Sequence, residues 1–136
     1  MIGQLPSEKR PVYIIGAGGI VNTAHLPAYQ IAGFNVQGIF DIVYAKAKAT
    51  ANKFNIPNVF ETLDEMLSAA PKNVLFDVAV PGAETIPILT KIPGGSSVLL
   101  QKPMGETYDE AKKILQLVRS KKILAAVNFQ LRYAPF

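Results

Sequence analysis

Val12-Tyr13-Ile14-Ile15-Gly16-Ala17-Gly18-Gly19-Ile20-Val21 is the stretch on which the reading of the fold turns. Residues 12–15 form a short unbroken apolar run, as a strand buried on both faces requires. A glycine turn follows at once, and residues from about Gly19 to Ala32 then carry a helical pattern, with Gly33 where a helix C-cap belongs. Gly16 permits the tight turn, and Gly18 lets the backbone approach a bound group with no Cβ in the way. The amides of Gly19 and Ile20 open the helix, so free N–H groups and the positive end of its dipole face an anion such as a diphosphate. The third place of the usual G-x-G-x-x-G/A pattern is Val21, which predicts a looser helix–strand contact. Glycine turns are common, and this one gains meaning from its setting inside a βαβ unit.

The alternation continues to the end of the chain. Residues 36–40 read as a second strand ending at Asp41. Tyr44, Ala47, Ala51 and Phe54 fall at helical spacing, and Asn55 and Pro57 end that helix. Val59-Phe60 makes a short third strand. Thr62 and Glu65 form a capping box for a helix running to Ala70. Residues 74–80 read as a central strand, and Pro81-Gly82 leads into a helix ending near Lys91. Ser97–Leu100 supply a fifth strand. Thr107 and Glu110 form a second capping box, for a helix with Ala111, Ile114, Leu115 and Val118 facing inward. Ile123–Val127 are a sixth strand. About six strands joined by helical crossovers predict an α/β fold of three layers, a doubly wound parallel sheet covered on both faces. Ligands of such sheets bind at the carboxyl ends of the strands, where the strand order reverses.

Composition narrows the chemistry. With 136 residues the chain has room for one domain, and with 49% apolar residues it can build a core without staples. The absence of cysteine excludes disulfides, thiolate metal sites and cysteine nucleophiles. One histidine, His25, leaves no material for a histidine metal cluster, and a Ser-His-Asp triad is disfavoured. A net charge of +4 comes from scattered lysines, among them Lys46, Lys48 and Lys53, with no Arg-rich helix or aromatic stripe, so no nucleic-acid partner is expected. No segment approaches the ~18 apolar residues of a membrane span, and residues 1–10 do not resemble a secretion signal. The expectation is a cytoplasmic protein without a membrane partner.

Two residues after strands carry candidate chemistry. Asp41 stands 23 residues beyond Gly18, close to the roughly 20-residue offset of the acid that hydrogen-bonds an adenosine ribose. It could instead cap the following helix. A carboxylate there repels a 2′-phosphate and favours NAD over NADP, although Lys46 and Lys48 lie nearby. Lys102, in Gln101-Lys102-Pro103-Met104-Gly105, follows the fifth strand. It could polarise a substrate hydroxyl beside a nicotinamide, or be a solvated lysine before a turn proline. His25 reads as a structural hydrogen-bonding residue rather than a catalytic base. Arg132 and Tyr133 stay open between a hinge and substrate contacts.

Three ordered stretches resemble one family. Gly16-Ala17-Gly18-Gly19-Ile20 with His25-Leu26-Pro27-Ala28-Tyr29, then Gln101-Lys102-Pro103-Met104-Gly105, then Val127-Asn128-Phe129-Gln130-Leu131-Arg132-Tyr133 look like the glucose–fructose oxidoreductase / inositol dehydrogenase / MocA family. The resemblance runs from about residue 11 to the end. It implies a Rossmann domain and NAD(P)-dependent redox chemistry on sugars, cyclitols or related polyols. Gly16, Gly18, Gly19 and Ile20 would cradle the pyrophosphate, Asp41 would meet the ribose, and Val80 and Pro81 would line the adenosine side. Gln101 would lie beside the cofactor, and Lys102 would take the place of the family lysine between nicotinamide and substrate. Gln101 stands where the family usually has glutamate, and the turn Pro81-Gly82-Ala83-Glu84-Thr85 lacks the family's frequent histidine. On this reading residues 1–10 are a tail, 11–128 the dinucleotide-binding domain, and 129–136 the start of a connection to a substrate domain. The chain would then be the cofactor half of an oxidoreductase, inactive alone and homo-oligomeric when full length. A non-catalytic NAD(P)-sensing module is the rival, since fold does not fix function.

Overall fold

The computed structural model describes residues 6–133, so residues 134–136 of the expected connection and residues 1–5 of the expected tail lie outside the described residues. Six parallel strands are joined by helices. They are β1 (Val12–Ile15), β2 (Val36–Phe40), β3 (Asn58–Phe60), β4 (Leu75–Val78), β5 (Ser97–Gln101) and β6 (Leu124–Asn128). Five α-helices connect them: α1 (Leu26–Ala32), α2 (Tyr44–Phe54), α3 (Leu63–Ala69), α4 (Gly82–Lys91) and α5 (Tyr108–Ser120). The sheet order is β3-β2-β1-β4-β5-β6, the two-sided winding expected of a doubly wound sheet, with the reversal between β1 and β4.

Alternate residues of each strand feed two cores. Val12, Ile14 and Ile39 pack with Val21, Leu26, Ala47 and Ala51 beneath α1 and α2. Tyr13, Ile15, Phe76, Val78, Val98 and Leu100 pack with Met66, Leu89 and Ile114 beneath α3, α4 and α5. β1, wholly buried, contributes to both, which is why it reads as an unbroken apolar run. Cover on both faces fails at β6. On the α1 side its Leu124 is 71% exposed, because two helices do not reach across six strands.

Local chemistry sets the element ends. Gly33 and Asn55 take left-handed conformations at the C-caps of α1 and α2, as placed. Thr62 and Glu65 form the full reciprocal capping box. The second box is half made. Thr107 accepts from Glu110 N, but the Glu110 carboxylate accepts from Glu106 N, one residue too early for the reciprocal bond. Leu115, expected to face inward, is exposed, and Leu117 packs on the core instead. Tyr44 likewise stays exposed at the start of α2. Strand β4 is shorter than the 74–80 run, while β5 extends to Gln101 and β6 is displaced by one residue.

The first helix departs most from expectation. Its opening turn, Val21–His25, is π-helical before α-helical geometry resumes at Leu26. Val21 is fully buried in the core under this turn, so the wider turn holds a side chain where the usual pattern has glycine. The same turn places His25 against β4. Asp77, at the centre of that strand and fully buried, accepts from His25 Nδ1 at 2.7 Å and from the Tyr29 hydroxyl at 2.8 Å, both on Oδ2. Its Oδ1 has no partner among the described residues. Asn128 Nδ2 reaches His25 Nε2 at 3.3 Å, tying β6 to the same group. His25 is thus a hydrogen-bonding core residue, as its place in the chain implied.

Burial, and then the Asp77 charge, push the Tyr29 phenol far above its usual value. Below about pH 10 the phenol is protonated in folded and unfolded chains alike. Above that the unfolded chain ionises first, so stability is lost as pH rises, by at most about 1.4 kcal/mol per pH unit from this group. Urea denaturation of Tyr29→Phe at pH 9 and 11 should show a shallower fall between the two than the parent. An equally steep fall would refute the assignment.

Candidate functional site

The carboxyl ends of β1, β2, β4 and β5 lie along one edge of the sheet, and the residues that follow them converge there. Gly16 leaves β1 with φ +109°, and a Cβ on it would stand 2.3 Å from the Ala79 carbonyl beyond β4. Its amide donates to Phe40 O at 2.7 Å. Glycine is therefore required twice, by conformation and by the closeness of β4. Gly18, Gly19 and Ile20 are exposed, and a Cβ on Gly18 or Gly19 would meet nothing within 4 Å. The amides of Gly19, Ile20 and Val21 lie in the first turn of a helix, where no carbonyl stands one turn back to accept them. An open, amide-lined surface at a helix start fits a diphosphate.

Asp41 is drawn into this turn. Its Oδ2 accepts from Ala17 N at 2.7 Å and its Oδ1 from Val43 N at 2.8 Å. It does not cap α2, whose N-cap is Val43 with no side-chain bond. The two parts of the fingerprint, 24 residues apart at this contact, are one hydrogen-bonded unit. Ile42, 92% exposed, and Val43 leave an apolar surface beside it.

The other predicted residues lie along the same edge. Val80 is half-buried against the core and Pro81 exposed at the start of α4. Gln101 ends β5, its Oε1 accepting from Lys102 N at 3.2 Å, and Lys102 is exposed beyond it. Among the described residues no group of His, Asp and Glu could hold a metal, and no helix is long and apolar enough to cross a membrane.

Sequence reading missed Asn22 and Thr50. Asn22 Nδ2 lies 3.0 Å from Gly18 O, 3.2 Å from Ala17 O and 3.1 Å from Thr50 Oγ1. The available signal was an amide side chain one helical turn beyond Gly18. Asp77 was missed as well, although a lone carboxylate inside an apolar strand must find donors.

A glycine turn after β1, an acid after β2 and this strand order define a dinucleotide-binding domain. The match is specific: residues 10–129 fit the model of the oxidoreductase family with an NAD-binding Rossmann fold, GFO_IDH_MocA. The chain belongs to that family. It is 32% identical over 129 residues to the uncharacterized protein YMR315W of Saccharomyces cerevisiae, covering 91% of this chain and 37% of that one. It is 27% identical over 127 residues to the inositol 2-dehydrogenase/D-chiro-inositol 3-dehydrogenase of Lacticaseibacillus casei, covering 90% and 36%. An oxidoreductase structure from Thermotoga maritima superposes with a TM-score of 0.82 at 21% identity, covering 94% of this chain and 40% of its own. The chain thus spans well under half the length of these relatives.

Gly16→Ala should destabilise the domain by about 2–4 kcal/mol, from left-handed strain and the clash with Ala79 O together. Denaturant midpoints measure it. A loss below about 0.5 kcal/mol would show that the turn is not held against β4.

Proposed function

We propose that the chain is the cofactor-binding half of a dehydrogenase acting on a sugar, cyclitol or related polyol, and that it prefers NAD to NADP. The observation that supports the reading is the Asp41–Ala17 hydrogen bond of 2.7 Å, which joins the acid after β2 to the glycine turn. Gly16 shapes that turn, while the backbone at Gly18, Gly19 and Ile20 receives the diphosphate. Asp41 keeps acceptor capacity for a ribose hydroxyl and repels a 2′-phosphate by like charge. Val80 and Pro81 border the adenosine. Gln101 and Lys102, at the end of β5, serve the nicotinamide end. Gln101 brings no charge there. Lys102 binds and orients the substrate hydroxyl with its ammonium group and assists its proton transfer.

A bound nicotinamide supplies the hydride chemistry. Turnover also needs a substrate held within reacting distance, a task this proposal gives to a second domain. The chain alone therefore binds cofactor without turning substrate over. A substrate domain after residue 128, homo-oligomeric assembly and a cytoplasmic location complete the proposal. The polyol class is supported by the inositol dehydrogenase relative.

Fluorescence titration should show NADH binding more tightly than NADPH, and no binding of either at millimolar concentration would defeat the cofactor reading. In the protein with both domains, Lys102→Ala should lower kcat by about 100-fold or more with NADH affinity nearly unchanged. Unchanged turnover would refute the catalytic assignment of Lys102, and a parent protein that binds NADH but turns nothing over would favour a non-catalytic NAD(P)-sensing module.

A further inference from the structure

Two carbonyls of the glycine turn, those of Ala17 and Gly18, are gripped by one side chain. Asn22 has two amide protons and three possible acceptors for them. Thr50, buried on α2, resolves the conflict by donating its hydroxyl proton to Asn22 Oδ1 at 3.2 Å. The two Nδ2 protons are then free for Ala17 O at 3.2 Å and Gly18 O at 3.0 Å. The Asn22 backbone amide adds a bond to Gly18 O at 3.3 Å. Ala17 is held at its other end as well, by Asp41 Oδ2 on its N–H.

Peptide geometry turns this grip into a direction. In a planar trans peptide the C=O of one residue points opposite to the N–H of the next. With the Ala17 and Gly18 carbonyls turned toward Asn22, the amides of Gly18 and Gly19 must face the other way. Both glycines are exposed, and a Cβ on either would meet nothing within 4 Å. Flexible glycines would otherwise lose backbone freedom when an anion bound. A turn already held in this orientation does not meet that cost on binding.

We propose that Asn22, seated on Thr50, is a positioning residue that presets the turn for the diphosphate of the cofactor. This rests on the dinucleotide reading above and assigns Asn22 no contact with the cofactor itself. Its effect should fall on the phosphate contacts alone and leave the adenosine contacts untouched.

Titration of the 136-residue chain with ADP and with adenosine, followed by amide chemical shifts, separates the two. Asn22→Ala should weaken ADP about tenfold, the scale of one or two net hydrogen bonds, and leave adenosine affinity as it was. Should Asn22→Ala fail to fold, Thr50→Val carries the test. It removes the hydroxyl donor at nearly constant volume and should weaken ADP about threefold with adenosine unchanged. A folded variant with the ADP-to-adenosine affinity ratio of the parent overturns the role of Asn22. A parent chain that binds neither compound overturns the dinucleotide reading, and this inference with it.

Discussion

The contact between Gly16 and the backbone at Ala79 is the constraint on which the rest of the carboxyl edge depends. β1 is central, paired to β2 on one side and β4 on the other. The chain must leave it through a gap where a Cβ would stand 2.3 Å from a carbonyl oxygen. Passing there, it turns sharply enough to present the next amides outward and to start a helix over β1. A side chain at residue 16 would push the turn away from β4. The Asp41 contact with Ala17 N and the Asn22 contacts with two carbonyls would be displaced along with it.

A second interaction holds the same helix from beneath. Asp77 is a buried carboxylate whose hydrogen-bond partners among the described residues are the His25 ring and the Tyr29 hydroxyl. Both partners come from the π turn and α1, so the polar contact fixes where that helix lies along β4. Such a group is costly to bury unless its donors are well placed, and it therefore penalises any sliding of the helix that an apolar contact would tolerate. The glycine turn is bounded by two positioned elements, β4 at its start and the anchored helix at its end.

Residues whose role is dictated by their own conformation or period were legible in the sequence. The apolar run of β1, the glycine turn, the helix stops at Gly33 and Asn55 and the capping box at Thr62 all act within a few residues. Spacing put Asp41 at the end of β2, whereas its bonds to Ala17 N and Val43 N, which join it to the glycine turn, depend on the packed strands. The inward place given to Leu115 failed because a helix on an outer layer buries a narrow stripe, and the rotation of α5 that selects Leu117 and Val118 depends on the strands beneath it. The half-made second capping box turned on the conformation of Glu106, which no spacing specifies.

Sequence alone determined the order and kind of the elements, their two-sided winding and the family, because periodicity and turn chemistry are local properties. Tertiary structure decided what depends on distant residues meeting. The π turn that seats Val21 and His25, the Asp77 network and the Asn22–Thr50 grip each join segments whose separation along the chain carries no signal. Side chains such as Asn22 and Asp77 have many potential partners, and only the packed sheet and helices select among them. The glycine turn that begins the reading is thus a local motif whose shape is held by contacts that are not local.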